Sequence, residues 1–199
     1  MKKRLSVLLS VAVLIMAGAV QGAFITSVNG SDISTSFTSG TLSVTDTIAL
    51  VVQYEGGGQT SYADTTIQFT ASLLADNSSG GVANGVFGKG SYTVLDSASN
   101  VLLSGDVDQL TLMGTAGGFL LGGSGSVTLN AGSLKSDMPS GTGSGDVITI
   151  TFQLTPGPVQ DFSSDFIGRT NLSIHPIPEP ATMMLLGLGS MALIRRKRS

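Results

Sequence analysis

Alternating apolar and polar residues recur in short runs along the middle of this chain. The clearest run places Ile148, Ile150, Phe152 and Leu154 on one side, with hydroxyl and amide residues between them. Such alternation is typical of a β-strand, because successive side chains point to opposite faces of a sheet. Further candidate strands lie at residues 48–54, 67–73, 91–95, 101–103, 107–113, 126–130 and 171–174.

Turn-forming residues separate these runs, and no stretch between the two ends of the chain shows a helical period of 3.6. The pattern therefore predicts an all-β body of roughly ten antiparallel strands, without helices to cover a parallel sheet. Strand faces that are half apolar favour an antiparallel two-sheet sandwich or jelly roll. A closed barrel is the second prediction. A β-solenoid is the third, suggested by the glycine-rich residues 114–125, although no fixed repeat supports it.

The N-terminal end has the three parts of a secretory signal peptide. Three basic residues at positions 2–4 precede an apolar run over residues 5–19, and small residues follow. Cleavage after residue 19 fits the pattern best, and cuts after residue 22 or 23 are alternatives. We therefore predict a signal helix in residues 1–23 and a β-sandwich body over residues 24–175.

The C-terminal end combines a proline-rich segment, an apolar stretch and a basic cluster. Pro176, Pro178 and Pro180 alternate, which disfavours helix and strand and keeps the segment extended. As a helix, residues 181–194 would reach about 21 Å, short of the hydrocarbon core of a membrane. We predict a short hydrophobic helix that stops transiently in the membrane, with the basic cluster on the cytoplasmic side. The membrane-stop residues are Ala181, Leu185, Leu186, Leu188, Leu193 and Ile194, and the basic residues are Arg195, Arg196, Lys197 and Arg198.

The charge of the chain is divided unevenly between its ends and its body. Between Phe24 and Pro176, three basic residues stand against twelve acidic ones, a net charge of −9. A body this acidic repels phosphate backbones, so nucleic-acid binding is not predicted. The basic residues at both ends stay in the cytoplasm by the positive-inside rule, which places the acidic body across the membrane.

The C-terminal parts, in this order, resemble the PEP-CTERM sorting signal. The segment Ile177-Pro178-Glu179-Pro180-Ala181-Thr182, the apolar span and the terminal basic cluster match it over residues 176–199. The resemblance implies that Pro178, Glu179 and Pro180 are recognised by exosortase, a membrane-embedded protease or transpeptidase of Gram-negative bacteria. It implies export across the inner membrane, transient membrane association and transfer of the body to the outer surface or extracellular matrix. The implied partners are exosortase and the general secretion machinery, with exopolysaccharide as a further candidate.

Residue types that serve catalysis are scarce in this chain. Cysteine and tryptophan are absent, and His175 is the only histidine. A serine or threonine nucleophile needs a neighbouring base, and His175 lies in what the sequence predicts to be the linker to the tail. We therefore predict no enzyme activity, no catalytic residue and no cofactor.

Two pairs of acidic residues are candidates for a hard cation such as calcium. Asp106 and Asp108 flank a single residue, so at strand spacing they share one face. Asp161 and Asp165 bracket a short loop. Neither pair belongs to a recognised calcium-binding loop, and solvated surface acids are the favoured interpretation.

The sequence leaves three functions open. The favoured one is an exported, non-enzymatic protein of the cell surface or extracellular matrix, associated with exopolysaccharide. The second is a carbohydrate-binding or calcium-binding adhesion module, with Tyr54, Tyr62 or Tyr92 clustered on a concave sheet face. The third is a secreted hydrolase with two carboxylates in a cleft.

Overall fold

The architecture is a closed, eight-stranded antiparallel barrel. A computed structural model describes residues 24–138 and 146–176 of the chain. The strands are hydrogen-bonded to each other in chain order, and the first strand also pairs with the last. One short 3-10 turn, Lys135–Asp137, lies between the sixth and seventh strands. The strands are β1 (Ile25–Thr38), β2 (Thr41–Tyr54), β3 (Gln59–Asp76), β4 (Val82–Leu95), β5 (Val101–Thr115), β6 (Leu121–Ala131), β7 (Asp146–Pro156) and β8 (Phe166–Pro176).

The all-β prediction is confirmed, but the two-sheet sandwich or jelly roll is wrong. In a sandwich, two sheets face each other and each sheet keeps its own edge strands. Here Val28 of β1 lies opposite Ile174 of β8, and the pairing continues to Phe37 opposite Phe166. This seam joins the first and last strands, so the described sheet closes on itself. The closed ring of hydrogen-bonded strands also contradicts the solenoid alternative.

Several strand boundaries also differ from the sequence prediction. Residues 101–103 and 107–113 belong to one strand, β5. The alternation does not predict β1, because the register of that strand shifts against both neighbours near Gly30 and Ile33. Pro176 is the last residue of β8, opposite Ile148. A proline is tolerated there because only one neighbouring strand pairs with that position.

The two predicted terminal helices fall in residues 1–23 and 177–199, outside the described residues. Within residues 24–138 and 146–176, no helix has the length and apolar character needed to cross a membrane.

Inward-facing side chains fill the barrel. Ile148, Ile150, Phe152 and Leu154, the residues of the clearest alternating run, are all buried. An eight-stranded barrel is just wide enough for its own side chains to occupy the interior. The alternation therefore predicts correctly which face of each of these strands points into the core.

The connections at the two ends of the barrel differ. Because successive strands alternate in direction, the connections after β2, β4 and β6 lie at the end where the described chain begins and finishes. We call this end the terminal rim, described over residues 55–58, 96–100 and 132–138. The other end, the distal rim, carries residues 39–40, 77–81, 116–120 and 157–165.

A residue from a connection closes each mouth of the barrel. Phe162 of the distal rim is buried, with its ring centroid 5.8 Å from that of Phe37. Its backbone N–H donates to Asp76 at 3.0 Å. Gly85 leaves room for this ring, since a Cβ atom there would lie 2.8 Å from it. At the terminal rim, Leu134 is buried in the same manner.

Tyr92 is a polar exception within this core. Its side chain is 1% exposed, and its hydroxyl has no hydrogen-bond partner among the described residues. Burial raises the pKa of the Tyr92 phenol, so the group stays neutral. A buried polar group without a partner costs roughly 1–3 kcal/mol of stability.

We expect Tyr92→Phe to raise the free energy of unfolding by about 1 kcal/mol, because it removes an unpaired hydroxyl while keeping the ring. Urea denaturation of the purified protein measures this change. The matched control is Tyr62→Phe, which removes the hydroxyl of a partly buried tyrosine beside Tyr54 and is expected to give no such gain in stability. A loss of stability in the Tyr92 variant would mean that this hydroxyl has a partner, such as a buried water.

Candidate functional site

The two ends of the described chain leave the terminal rim side by side. Phe24 precedes β1 and Pro176 ends β8, and these two strands are hydrogen-bonded neighbours. The backbone carbonyl of Phe24 accepts the N–H of Glu55 at 2.7 Å, which fixes the start of β1 to the rim. Residues 1–23 and 177–199 are therefore attached at the same end of the barrel.

A set of polar side chains holds the end of β8 on the outer wall. Ser173 donates to the amide oxygen of Asn29 at 2.5 Å, and the Asn29 amide donates to the hydroxyl of Ser27 at 2.9 Å. Ser27 in turn donates to Gln53 at 3.0 Å. From the other side, the Thr151 hydroxyl donates to the backbone carbonyl of Ser173 at 3.2 Å. We call these residues the β8 clamp, because they connect the end of β8 to β1, β2 and β7.

His175 joins the β8 clamp and does not lie in a linker, which corrects the sequence prediction. It belongs to β8 and lies opposite Thr149. Its Nε2 atom is 2.9 Å from the hydroxyl oxygen of Ser173. A hydroxyl has one proton, and the contact with Asn29 uses it, so we assign His175 as the donor to Ser173. A catalytic base must instead accept the proton of its serine.

An outward bulge in β1 forms a second polar cluster. The strand shifts register between Gly30 and Ile33, and Asp32 adopts a positive φ of 57°. Arg169 of β8 covers the bulge, with Nη1 donating to the backbone carbonyl of Asp32 at 2.9 Å. A side-chain amide also contributes, because Asn171 accepts the N–H of Asp32 at 3.1 Å. Two residues of β8 therefore satisfy backbone groups that the bulge removes from the β-ladder.

The carboxylate of Asp46 fills the gap that the bulge leaves toward β2. It accepts the N–H of Ser34 at 2.9 Å, the hydroxyl of Ser34 at 2.8 Å and the N–H of Thr47 at 2.9 Å. Arg169 adds an ion pair at 3.1 Å. The Ser34 N–H, the Ser34 hydroxyl and the Thr47 N–H, with Arg169 nearby, lower the pKa of Asp46. The ionised carboxylate therefore serves as a fixed acceptor in the folded protein.

Two grooves lie on the outer wall beside this cluster. We call them the polar grooves after the hydroxyl and amide side chains in their lining, which stand among apolar atoms that form the larger part of the exposed surface. The first lies over β1, β2 and β8, where Ile167 is 78% exposed beside the hydroxyls. Its lining includes Ser34, Ser36, Ser43, Thr45, Ile167 and Arg169. The second includes Asn29, Ser31, Thr151, Gln153, Asn171 and Ser173.

The candidate cation residues lie apart from these grooves, and each has its own partner. Asp106 accepts a bond from Asn130 at 2.8 Å, and Asp108 accepts one from Thr128 at 2.9 Å. Both carboxylates are exposed on either side of buried Val107, as strand spacing predicts.

Asp161 and Asp165 stabilise two different parts of the distal rim. Asp161 accepts the hydroxyl of Ser163 at 2.6 Å and its N–H at 2.9 Å, which lowers the pKa of Asp161. Asp165 accepts the N–H of Ser39 at 2.9 Å. In the part of the chain that the structure describes, no group of three or more acidic or histidine side chains is arranged to hold a metal ion.

The tyrosines do not form one aromatic surface. Tyr92 lies in the core, so it cannot take part in a sugar-binding face. Tyr54 and Tyr62 are partly buried against the core and lie close to each other. Burial, followed by the neighbouring Tyr54, raises the pKa of Tyr62. The sequence analysis did not identify the polar grooves.

Comparison with known proteins identifies the tail of the chain. The family model of the PEP-CTERM protein-sorting motif matches residues 176–198. This confirms the resemblance, and the motif implies export, surface sorting and recognition by exosortase. Pro178, Glu179 and Pro180, the membrane-stop residues and the basic cluster all lie outside the described residues. Searches among curated proteins and among solved structures found no match.

We expect Asp46→Asn to lower the free energy of unfolding by roughly 1–2 kcal/mol at neutral pH, because an amide cannot accept all the donors that face the carboxylate. The folded-state pKa of Asp46 is lowered, so its contribution is present above the unfolded-state pKa and is lost as pH falls through the folded-state pKa. Denaturation of wild type and variant at neutral and acidic pH measures both effects.

The matched control for this prediction is Asp108→Asn, which removes the same charge from an exposed position with one hydrogen bond. We expect a smaller change in stability there. A difference between wild type and the Asp46 variant that stays constant down to strongly acidic pH would contradict the role assigned to the carboxylate.

Proposed function

We propose that this chain is an exported, non-enzymatic protein whose barrel exosortase delivers to the outer surface or the extracellular matrix, where its outer wall contacts exopolysaccharide. The observation that carries the proposal is the sorting motif at residues 176–198, which begins where the last strand of a closed barrel ends. In this proposal residues 1–23 form the signal peptide, residues 24–175 the working body, and the remainder the sorting segment.

The position of the two chain ends supports a tethered intermediate in which the body folds after export. Both terminal segments are attached at the terminal rim, beside the β1–β8 seam. A barrel held at the membrane by either segment therefore keeps the same rim toward the membrane. The distal rim then points away from the membrane, and the outer wall faces sideways, before and after removal of the signal peptide.

The chemistry of the outer wall supports contact with a polysaccharide. The polar grooves present hydroxyl and amide groups, which donate and accept hydrogen bonds as sugar hydroxyls do. Ile167 adds an exposed apolar surface beside them. Asp32 and Asp46 offset the charge of Arg169, and the body as a whole is acidic. These charges favour a neutral or weakly charged polymer over a strongly anionic one.

Intact-mass spectrometry of the protein recovered from outside its native cells tests the delivery. We expect a chain that begins after residue 19, 22 or 23 and ends near Pro178 to Ala181, because both terminal segments are removed. Added mass at the new C-terminus would indicate covalent transfer to a lipid or matrix component. A recovered chain that still carries residues 181–199 would contradict exosortase processing.

Retention of the purified protein on exopolysaccharide from the same cells tests the proposed contact. We expect the paired substitution Ser36→Gln and Ser43→Gln, which fills the first polar groove, to weaken binding about tenfold, equivalent to roughly 1.4 kcal/mol. The control is Ser91→Gln, an exposed position on β4 outside both grooves. Equal binding by the groove variant and the control, or no binding by wild type, would contradict the contact.

A further inference from the structure

The recognition motif begins immediately after the folded barrel. Pro176 is the last residue of β8, and a single residue, Ile177, separates it from Pro178. An extended chain advances at most about 3.6 Å per residue, so the α-carbon of Pro178 lies within roughly 7 Å of that of Pro176. The motif cannot move far from the rim while β8 remains in place.

The last residues of β8 are paired with neighbouring strands, so they cannot lengthen the junction between the barrel and the motif. Its pairing with β7 continues to Pro176 opposite Ile148, and its pairing with β1 continues to Ile174 opposite Val28. In the β8 clamp, Ser173 is bonded to Asn29 of β1 and to Thr151 of β7, and Gln53 of β2 bonds to Ser27 of β1. Lengthening the junction from within would require breaking these bonds.

We propose that the terminal rim is a docking surface for the membrane-embedded sorting enzyme, which binds the motif while in contact with the rim of the folded barrel. This inference rests on the proposed processing by exosortase. An enzyme that encloses the motif must lie within a few ångströms of the rim, because the junction is one residue long. The nearest part of the barrel is then a part of the substrate that the enzyme contacts.

The chemistry of the terminal rim fits a polar, transient contact. Seven large hydrophobic side chains are exposed in the described residues, and only Val101 lies at this end of the barrel. The charged residues of the described terminal-rim connections are Glu55, Asp96, Asp137 and Lys135. This surplus of acidic groups favours a partner surface with basic groups or hydrogen-bond donors. An interface without an apolar centre suits an enzyme that must release its product.

Two turns give this surface a defined shape. In the first, Gly57 and Tyr54 are joined by a backbone bond of 3.2 Å. In the second, the carboxylate of Asp96 accepts the N–H groups of Ala98 and Asn100 at 2.9 and 2.8 Å. The first turn carries consecutive glycines with positive φ at Gly56 and Gly57, and it is therefore suited to an insertion that leaves the strands unchanged.

The experiment follows removal of the tail over time in cells that carry the sorting enzyme, using the full chain. A short Gly/Ser insertion between Gly56 and Gly57 enlarges the terminal rim. We expect it to slow processing about tenfold, equivalent to roughly 1.4 kcal/mol of enzyme–substrate binding. The same insertion between Gly80 and Gly81 of the distal rim is the matched control and should leave the rate unchanged. A Gly/Ser spacer between Pro176 and Ile177 should restore the rate of the terminal-rim variant.

The outcomes separate this inference from the proposed function beneath it. Equal processing rates for the terminal-rim and distal-rim insertions would overturn docking at the rim and leave exosortase processing intact. A slow terminal-rim variant that the spacer fails to restore would also overturn it, because the insertion would then act on folding. Processing of a Glu179→Ala chain at the wild-type rate would instead overturn recognition of the motif itself.

Discussion

Pairing between β1 and β8 is the contact on which the rest of the structure depends. It joins the first and last described strands, so it completes the ladder of every strand and turns one face of the sheet into an enclosed core. Without it, two long strands would present unpaired edges. The contact joins residues near opposite ends of the sequence. Forming it therefore costs more loop-closure entropy than forming any other strand pair in the barrel. The same pairing brings the two chain ends to one rim.

The seam is also where polar chemistry concentrates on the outer wall. The bulge in β1 breaks the regular ladder, and Asp46, Arg169 and Asn171 satisfy the backbone groups that it exposes. The β8 clamp lies on the same side, toward the terminal rim. Both polar grooves border these residues. The region that closes the barrel therefore also borders the surface proposed to bind the polymer. We expect substitutions there to affect both stability and binding.

Sequence alternation identified the inward faces of most strands but neither the bulged strand nor the polar cluster. Ile150 and Phe152 follow the period of two, and both are buried. β1 interrupts that period between Gly30 and Ile33, and its serine, asparagine and aspartate residues resemble those of a loop. His175 stands beside a proline, which suggested a linker, yet pairing with β7 keeps it in β8. Asp46 and Arg169 are far apart in the sequence and come together only in the folded barrel. No local sequence pattern therefore predicts their ion pair.

By itself, the sequence determined the all-β class and the sorting motif of this protein. Both are local signals, because alternation is set by strand geometry and the motif is a continuous segment. Tertiary structure alone decided that the sheet is a closed barrel with both chain ends at one rim. A sandwich and a barrel bury the same alternate residues of each strand, so the period of two cannot distinguish them. The difference lies in which strands pair at the two ends of the sheet, and that pairing is a long-range contact.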